Sequence, residues 1–175
     1  MAVEYIRVPL DRVAVIIGSA GRTKKEIEKE TNTRITLDSR SGEVSIEERG
    51  DALKGYKALE IVRAIARGFS PEHALALLQE GYSLEVIDIG QYAGKSSNAA
   101  EQKRGRVIGS EGRTREKIED ETGCYVSVYG KTISVIGKYD DVSKAKRAVE
   151  MLLGGAAHNT VERELKKSGR EKFEL

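Results

Sequence analysis

Tryptophan is absent from this 175-residue chain, and two phenylalanines and seven tyrosines supply all of its aromatic surface. A face that binds mainly by stacking bases on rings is thereby disfavoured. One cysteine, Cys124, cannot form an internal disulfide framework and fits a reducing compartment. Two histidines, His73 and His158, beside that cysteine are too few for a zinc site of the ordinary ligand type. No apolar run approaches the roughly 18 residues of a membrane span. The start, MAVEYIRVPLDR, lacks the basic opening and long apolar stretch of a secretory signal. A cytoplasmic location is expected. No paired-carboxylate motif, His-led triad or metal-ligand cluster is legible, so neither enzymatic activity nor a metal or cofactor is expected.

Net charge is also small, at +2, and does not by itself announce a polyanionic partner. Its distribution is more telling. Residues 12–25 hold Arg12, Arg22, Lys24 and Lys25 and no acid. Residues 103–117 hold Lys103, Arg104, Arg106, Arg113, Arg115 and Lys117 against Glu111 and Glu116. Both windows centre on a Gly-x-x-Gly turn.

These windows are copies. IGSAGRTKKEIEKET (17–31) and IGSEGRTREKIEDET (108–122) lie 91 residues apart and agree at ten of fifteen positions. Two copies so far apart indicate a duplicated domain rather than a solenoid. Each turn opens a helix-forming run with Ile27 or Ile118 facing inward, stopped at Asn32 or Gly123. An alternating strand follows (33–38 or 124–129), in which Cys124 alternates with Val126 and reads as a small buried hydrophobe. A second strand comes next (43–48 or 132–137), then an amphipathic helix (52–69 or 140–153). A strand also precedes each turn (4–8 or 84–90). Three strands with helices on one face make a small α+β domain. Residues 70–81 read as a connecting helix, capped by Ser70 and ended by Gly81, and 91–100 read as a loop. The expected organisation is 1–81, the first domain with its connecting helix; 82–157, the second domain; and 158–175, a charged helix or tail. Tyr125 and Tyr129 project from the strand face opposite Val126, a placement suited to packing the units together.

Two chemistries compete for the Gly-x-x-Gly turn. A nucleotide-binding phosphate loop needs Gly-x-x-x-x-Gly-Lys-Ser/Thr after a buried strand. VAVIIG could pass as that strand, but the glycine spacing is wrong and Arg22-Thr23 replaces Lys-Ser/Thr. In the second copy, Lys103, Arg104, Gly105 and Arg106 stand where Arg12, Val13, Ala14 and Val15 stand in the first, a change that a buried strand could not accept. A short surface helix could. The other chemistry is a clamp on a nucleic-acid backbone. Glycines flanking two small residues let main chain approach a sugar-phosphate chain, and amides at a helix start face negative charge favourably. The candidate contact residues are Gly18, Ser19, Ala20, Gly21, Arg22, Lys24 and Lys25 in one copy. In the other they are Lys103, Arg104, Arg106, Gly109, Ser110, Glu111, Gly112, Arg113 and Arg115.

VIIGSAGRTKKEIEKETNTRITL and RVIGSEGRTREKIEDETGCYVSV both resemble type I KH domains in β–α–α–β–β–α order, and the likeness spans roughly residues 3–70 and 83–154. The segment 103–137 is similar to the second KH domain of the partner-of-Nob family of small-subunit ribosome-assembly factors, in its archaeal two-KH form. The resemblance implies binding of single-stranded RNA near the 3′ end of small-subunit ribosomal RNA. It also implies association with the Nob endonuclease and with the alpha subunit of initiation factor two. Two departures stand out. KH domains often carry an apolar residue three positions after the second glycine, where this chain has Lys24 and Arg115. They also often place a base at the loop centre, where it has Ser19-Ala20 and Ser110-Glu111. The second copy, with Lys103, Arg104 and Arg106 entering its turn, reads as the stronger RNA site, and the first as partly a protein-docking unit. A protein-interaction scaffold, or a general RNA adaptor in degradation or transcription, shares the same sequence features.

Overall fold

The computed structural model describes residues 2–171, with residues 169–171 described by backbone alone. The chain divides into two compact units, Met1–Glu80 and Gly81–Leu175. In the first, β1 (Val3–Arg7) leads into α1 (Leu10–Ile17) and α2 (Arg22–Thr31), then β2 (Thr33–Leu37), β3 (Glu43–Glu48), α3 (Ala52–Ala66) and a short α4 (Pro71–Leu75). In the second, β4 (Tyr82–Asp88) is followed by α5 (Gly90–Ala93), α6 (Ser97–Ile108), α7 (Arg113–Thr122), β5 (Tyr125–Tyr129), β6 (Thr132–Lys138), α8 (Tyr139–Leu153) and α9 (His158–Glu171). Each sheet is antiparallel with the last strand in chain order in the middle, β1-β3-β2 and β4-β6-β5. This is the expected α+β arrangement in both copies.

Strand alternation sets which face meets the helices. Ile35 pairs with Ile46, and both are buried. Val126 pairs with Val135 in the same way, one step from Cys124, which is buried against the backbone of Gly137. Onto these faces the helices bring Ile16, Ile27, Ile61 and Ile65, or Val107, Ile118, Val149 and Leu152, all at or near zero exposure. Removing one such side chain down to alanine costs about 2–5 kcal/mol, so the helix pair that carries each turn is firmly seated.

The helix ends follow the sequence signals. α2 stops at Asn32 in the left-handed region (φ 49°, ψ 51°), where its side chain donates to the Arg49 carbonyl at 2.8 Å. α7 stops at Gly123 in the same conformation. Asp51 caps α3 by accepting from the amides of Leu53 and Lys54 at 3.0 and 3.3 Å, and Ser70 caps α4 through the His73 amide at 3.2 Å.

Two expectations need correction. The connecting helix expected over 70–81 is only α4 with one 3-10 turn to Leu78, and it stops short of Gly81. Residues 91–100 are not a loop: α5 forms a helical turn, and α6 begins at Ser97 with Ser96 accepting from the Ala99 amide at 3.2 Å. The Ser-cap followed by two alanines outweighs the glycine and serines around it. In the segment 158–175, residues 172–175 lie outside the described residues. The helix α9 buries Val161 and Leu165 in the core of the second unit.

Candidate nucleic-acid interface

The stretch VAVIIG lies within α1 and its end, so the first turn joins two helices, as does the second. The two turns share one backbone. The first glycines have φ/ψ of 75°/173° and 74°/177° at Gly18 and Gly109. The third loop positions, Ala20 and Glu111, sit at 53°/30° and 56°/27°. The second glycines, Gly21 and Gly112, have 73°/15° and 74°/10°. A left-handed conformation at two non-glycine residues is uncommon, and its recurrence marks a constrained motif rather than a slack connection.

The first glycine of each turn is held by its own chain. A Cβ on Gly18 would lie 2.3 Å from Thr23 Oγ1, and one on Gly109 would lie 2.1 Å from Thr114 Oγ1. The Thr that recurs after each Gly-Arg is thus the close neighbour that requires glycine there. By contrast, Cβ atoms on Gly21 and Gly112 would meet nothing nearer than 3.8 Å. Within the turns, Gly21 N donates to Gly18 O at 3.2 Å and Gly112 N to Gly109 O at 3.3 Å. The amides of Ser19, Ala20, Ser110 and Glu111 take no part in those bonds and lie at exposed residues. They precede α2 and α7, whose N-terminal dipoles favour an anion at the same place.

Around this shared backbone the charges sort differently. Arg22 and Lys25 are exposed beside the first turn. At the second, Arg113 pairs with Glu111 (3.2 Å), the side chains being 75% and 78% exposed, a contact worth little in water. Glu116 stands where Lys25 stands in the first copy. Lys24 and Arg115, at the departure from the usual apolar position, are tied down in both copies. Lys24 pairs with Glu28 at 3.2 Å and Arg115 with Glu119 at 3.1 Å. The same carboxylates accept from the edge-strand amides, Ile35 N to Glu28 at 2.8 Å and Val126 N to Glu119 at 3.2 Å. Arg115 also donates to the Val126 carbonyl at 3.4 Å. An ion pair anchored on the sheet edge therefore stands in each copy where KH domains often carry an apolar side chain. The compensating acid four residues later was visible in the sequence as an i,i+4 pair.

Arg106 and Arg104, on the helix that leads into the second turn, also bond main-chain carbonyls. Arg106 donates through Nε to the Leu152 carbonyl at 2.9 Å and through Nη2 to that of Ala156. Arg104 donates to the Gly130 carbonyl at 2.9 Å. Arg12 makes the counterpart of the Arg106 bonds in the first unit, to Ile65 O and Phe69 O, both at 2.8 Å. The carbonyls match as well. α3 and α8 close with the same paired bonds, Phe69 N to Ala64 O with Gly68 N to Ile65 O, and Ala156 N to Met151 O with Gly155 N to Leu152 O. Each long helix thus ends on an arginine fork reaching across from the helix before the turn. Lys103 is half-buried on α6. Among the described residues, no group of three or more His, Cys, Asp and Glu could hold a metal, and no helix is long and apolar enough to cross a membrane.

Comparison with known proteins bears on the same two units. A model of the KH domain matches residues 3–64, and one of the eukaryotic-type KH domain (type I), of the partner-of-Nob second-domain class, matches residues 83–170. A KH domain-containing protein of Methanocaldococcus jannaschii is 48% identical over 181 residues, covering 99% of this chain and 79% of that one. The crystal structure of Dim2p from Pyrococcus horikoshii superposes with a TM-score of 0.89 at 48% identity, covering 95% of this chain and 99% of that one. The a/eIF2alpha–aDim2p–rRNA complex from the same organism holds a chain with a TM-score of 0.91 at 47% identity, covering 97% and 95%. A protein of unknown function from Aeropyrum pernix gives 0.94 at 38%, covering 99% and 93%.

Proposed function

Since the chain belongs to the tandem KH-domain family, of the partner-of-Nob type, we propose that it binds single-stranded RNA through its two Gly-x-x-Gly turns. The target is the 3′ region of small-subunit ribosomal RNA, and the role is non-enzymatic, in ribosome assembly. The observation that carries this reading is the repeated turn, with one set of dihedral angles in two different sequence contexts. Phosphates meet the amides of Ser19 and Ala20, or Ser110 and Glu111, with Arg22 and Lys25, or Arg113, supplying charge beside them. Bases lie over the Lys24–Glu28 or Arg115–Glu119 pair against the edge of β2 or β5, where both a donor and an acceptor are on offer. Arg12 and Arg106 serve this site by holding its scaffold. The rRNA-bound Pyrococcus relative supports the choice of RNA, and its initiation-factor component supports an association with that alpha subunit. The Nob endonuclease follows from the family resemblance.

Three measurements test the reading. Binding of a single-stranded rRNA 3′-end fragment should weaken with salt at a log–log slope near −3 per clamp, from about four phosphates at ~0.7 each. Ser19→Asp with Ala20→Asp, and separately Ser110→Asp, should each weaken it, because aspartate tolerates the left-handed position but repels phosphate. Unchanged affinity in both variants would leave the turns without this role and favour a protein scaffold. Crosslinking and sequencing of bound RNA should give a peak at the rRNA 3′ end. A spread over messenger RNAs would remove the ribosomal part of the reading.

A further inference from the structure

Helix α9 has no counterpart over the turn-bearing helices of the first unit, and its charges are sorted. Its apolar side, Val161 and Leu165, is buried in the second unit's core. Its two acids in the described side chains are both drawn to the body, Glu162 to Lys117 of α7 at 3.1 Å and Glu164 to Arg147 of α8 at 3.2 Å. Arg163, Lys166 and Lys167 are exposed on the opposite side. A helix that is merely solvated keeps acids and bases mixed on its outer face. Here the acids are paired off and the outer face is left cationic.

The helix also starts at the clamp. His158 Nε2 lies 3.0 Å from the carbonyl of Arg106, within one helical turn of Gly109, and His158 and Thr114 line the same small cavity. From Arg163 to Lys167 the axis runs ~6 Å, and the long side chains at its two ends extend that reach over about two or three consecutive phosphates. The second turn, carrying Glu111 and flanked by Glu116, is the one whose exposed neighbouring cation, Arg113, is already paired with an acid of the turn itself.

We propose that the outer face of α9, through Arg163, Lys166 and Lys167, is a phosphate-binding track that continues the second clamp along the flanking RNA. The inference rests on the RNA-binding reading and extends it. Its occupant is sugar-phosphate backbone, read for charge rather than for sequence.

The test uses the full chain, wild type and the triple variant Arg163→Gln/Lys166→Gln/Lys167→Gln, in which all three changes are at exposed positions and glutamine keeps helix propensity. The probes are an rRNA 3′-end fragment cut to the shortest length that the triple variant binds at its full affinity, and the same fragment lengthened by four nucleotides at its 5′ or its 3′ end. Extension at one end should tighten the wild type and steepen its salt slope by about 2, three contacts at ~0.7 each. The triple variant should lose that gain, about tenfold at 50 mM salt, and bind the short fragment as the wild type does. The track is overturned if neither extension tightens the wild type, or if the variant weakens short and long RNA alike. If neither the wild type nor the triple variant binds any fragment and Ser110→Asp changes nothing, the RNA-binding reading falls as well, and α9 is left as a surface for a protein partner.

Discussion

The two clamps have the same backbone and differently arranged charges. The first surrounds its turn with Arg22 and Lys25; the second places Glu111 within it, pairs that acid with Arg113, and puts Glu116 where Lys25 stood. Duplication kept what the main chain must do and released what the side chains supply. The dihedral angles, the threonine against the first glycine, the carboxylate on the edge-strand amide and the arginine fork on the long helix all recur. The surface charges do not. A phosphate held by amides needs a fixed turn, whereas the surrounding cations set strength and reach and can be moved to a neighbouring element.

The comparison breaks most readily at the shared part. Gly109→Ala and Gly18→Ala should cost stability heavily and equally, about 3 kcal/mol or more, since a φ near +74° with ψ near 177° is a region used almost only by glycine and Thr114 or Thr23 fills the space. Gly112→Ala and Gly21→Ala should cost about 1–2 kcal/mol, from the left-handed conformation alone. Chemical denaturation of the four variants checks the ranking. Next come the arginine forks. Arg106→Ala and Arg12→Ala should each lose about 1–3 kcal/mol of stability by leaving helix-end carbonyls short of a donor. The salt slope of RNA binding should stay as in the wild type for Arg106→Ala, while Arg113→Gln should make it shallower by ~0.7 without changing stability.

A smaller effect sharpens the contrast between the clamps. Glu111→Gln should tighten RNA binding about two- to fivefold, by removing like charge at the turn and releasing Arg113, a gain of the size expected for exposed charges. The reverse change, Ala20→Glu, should weaken the first clamp by a similar factor in the same titration. Smallest of all is the turn between β2 and β3, which the second unit replaces with the shorter Gly130-Lys131. Asp38 accepts there from the amides of Arg40 and Ser41, and those bonds hold its carboxyl below the ordinary aspartate range. A lowered folded pKa gives stability that is present above the unfolded pKa and lost as pH falls through the folded one. Asp38→Ala should therefore melt slightly lower than wild type at neutral pH, with the gap closing in acid below the usual carboxylate range.

Much of this was legible in the sequence. The repeat, the helix stops at Asn32 and Gly123, the inward Ile27 and Ile118 and the buried Cys124 all follow from local rules of propensity and alternation. What was hidden depends on where separate segments meet. Arg12 and Arg106 perform one task from positions that the repeat offset does not align, because α6 and α1 reach the long helix from different turns. The ungapped comparison instead sets Arg12 against Lys103. Arg106 gives two of its guanidinium donors to carbonyls at the end of α8, and Arg104 gives one to the Gly130 carbonyl, bonds that the sequence does not announce. The grip of Glu28 and Glu119 on the edge strands needed the sheet register before it could be seen. The role of α9 needed the ion pairs that take up its acids.

The most direct measurement of the central claim is an amide-resolved NMR titration of the full chain with a single-stranded rRNA 3′-end fragment. The account predicts that the amides of Ser19, Ala20, Ser110 and Glu111 shift most at both turns, as phosphate oxygens replace water on them, and that the shifts fade together with rising salt. RNA binding that leaves all four amides unmoved while residues elsewhere respond would contradict it.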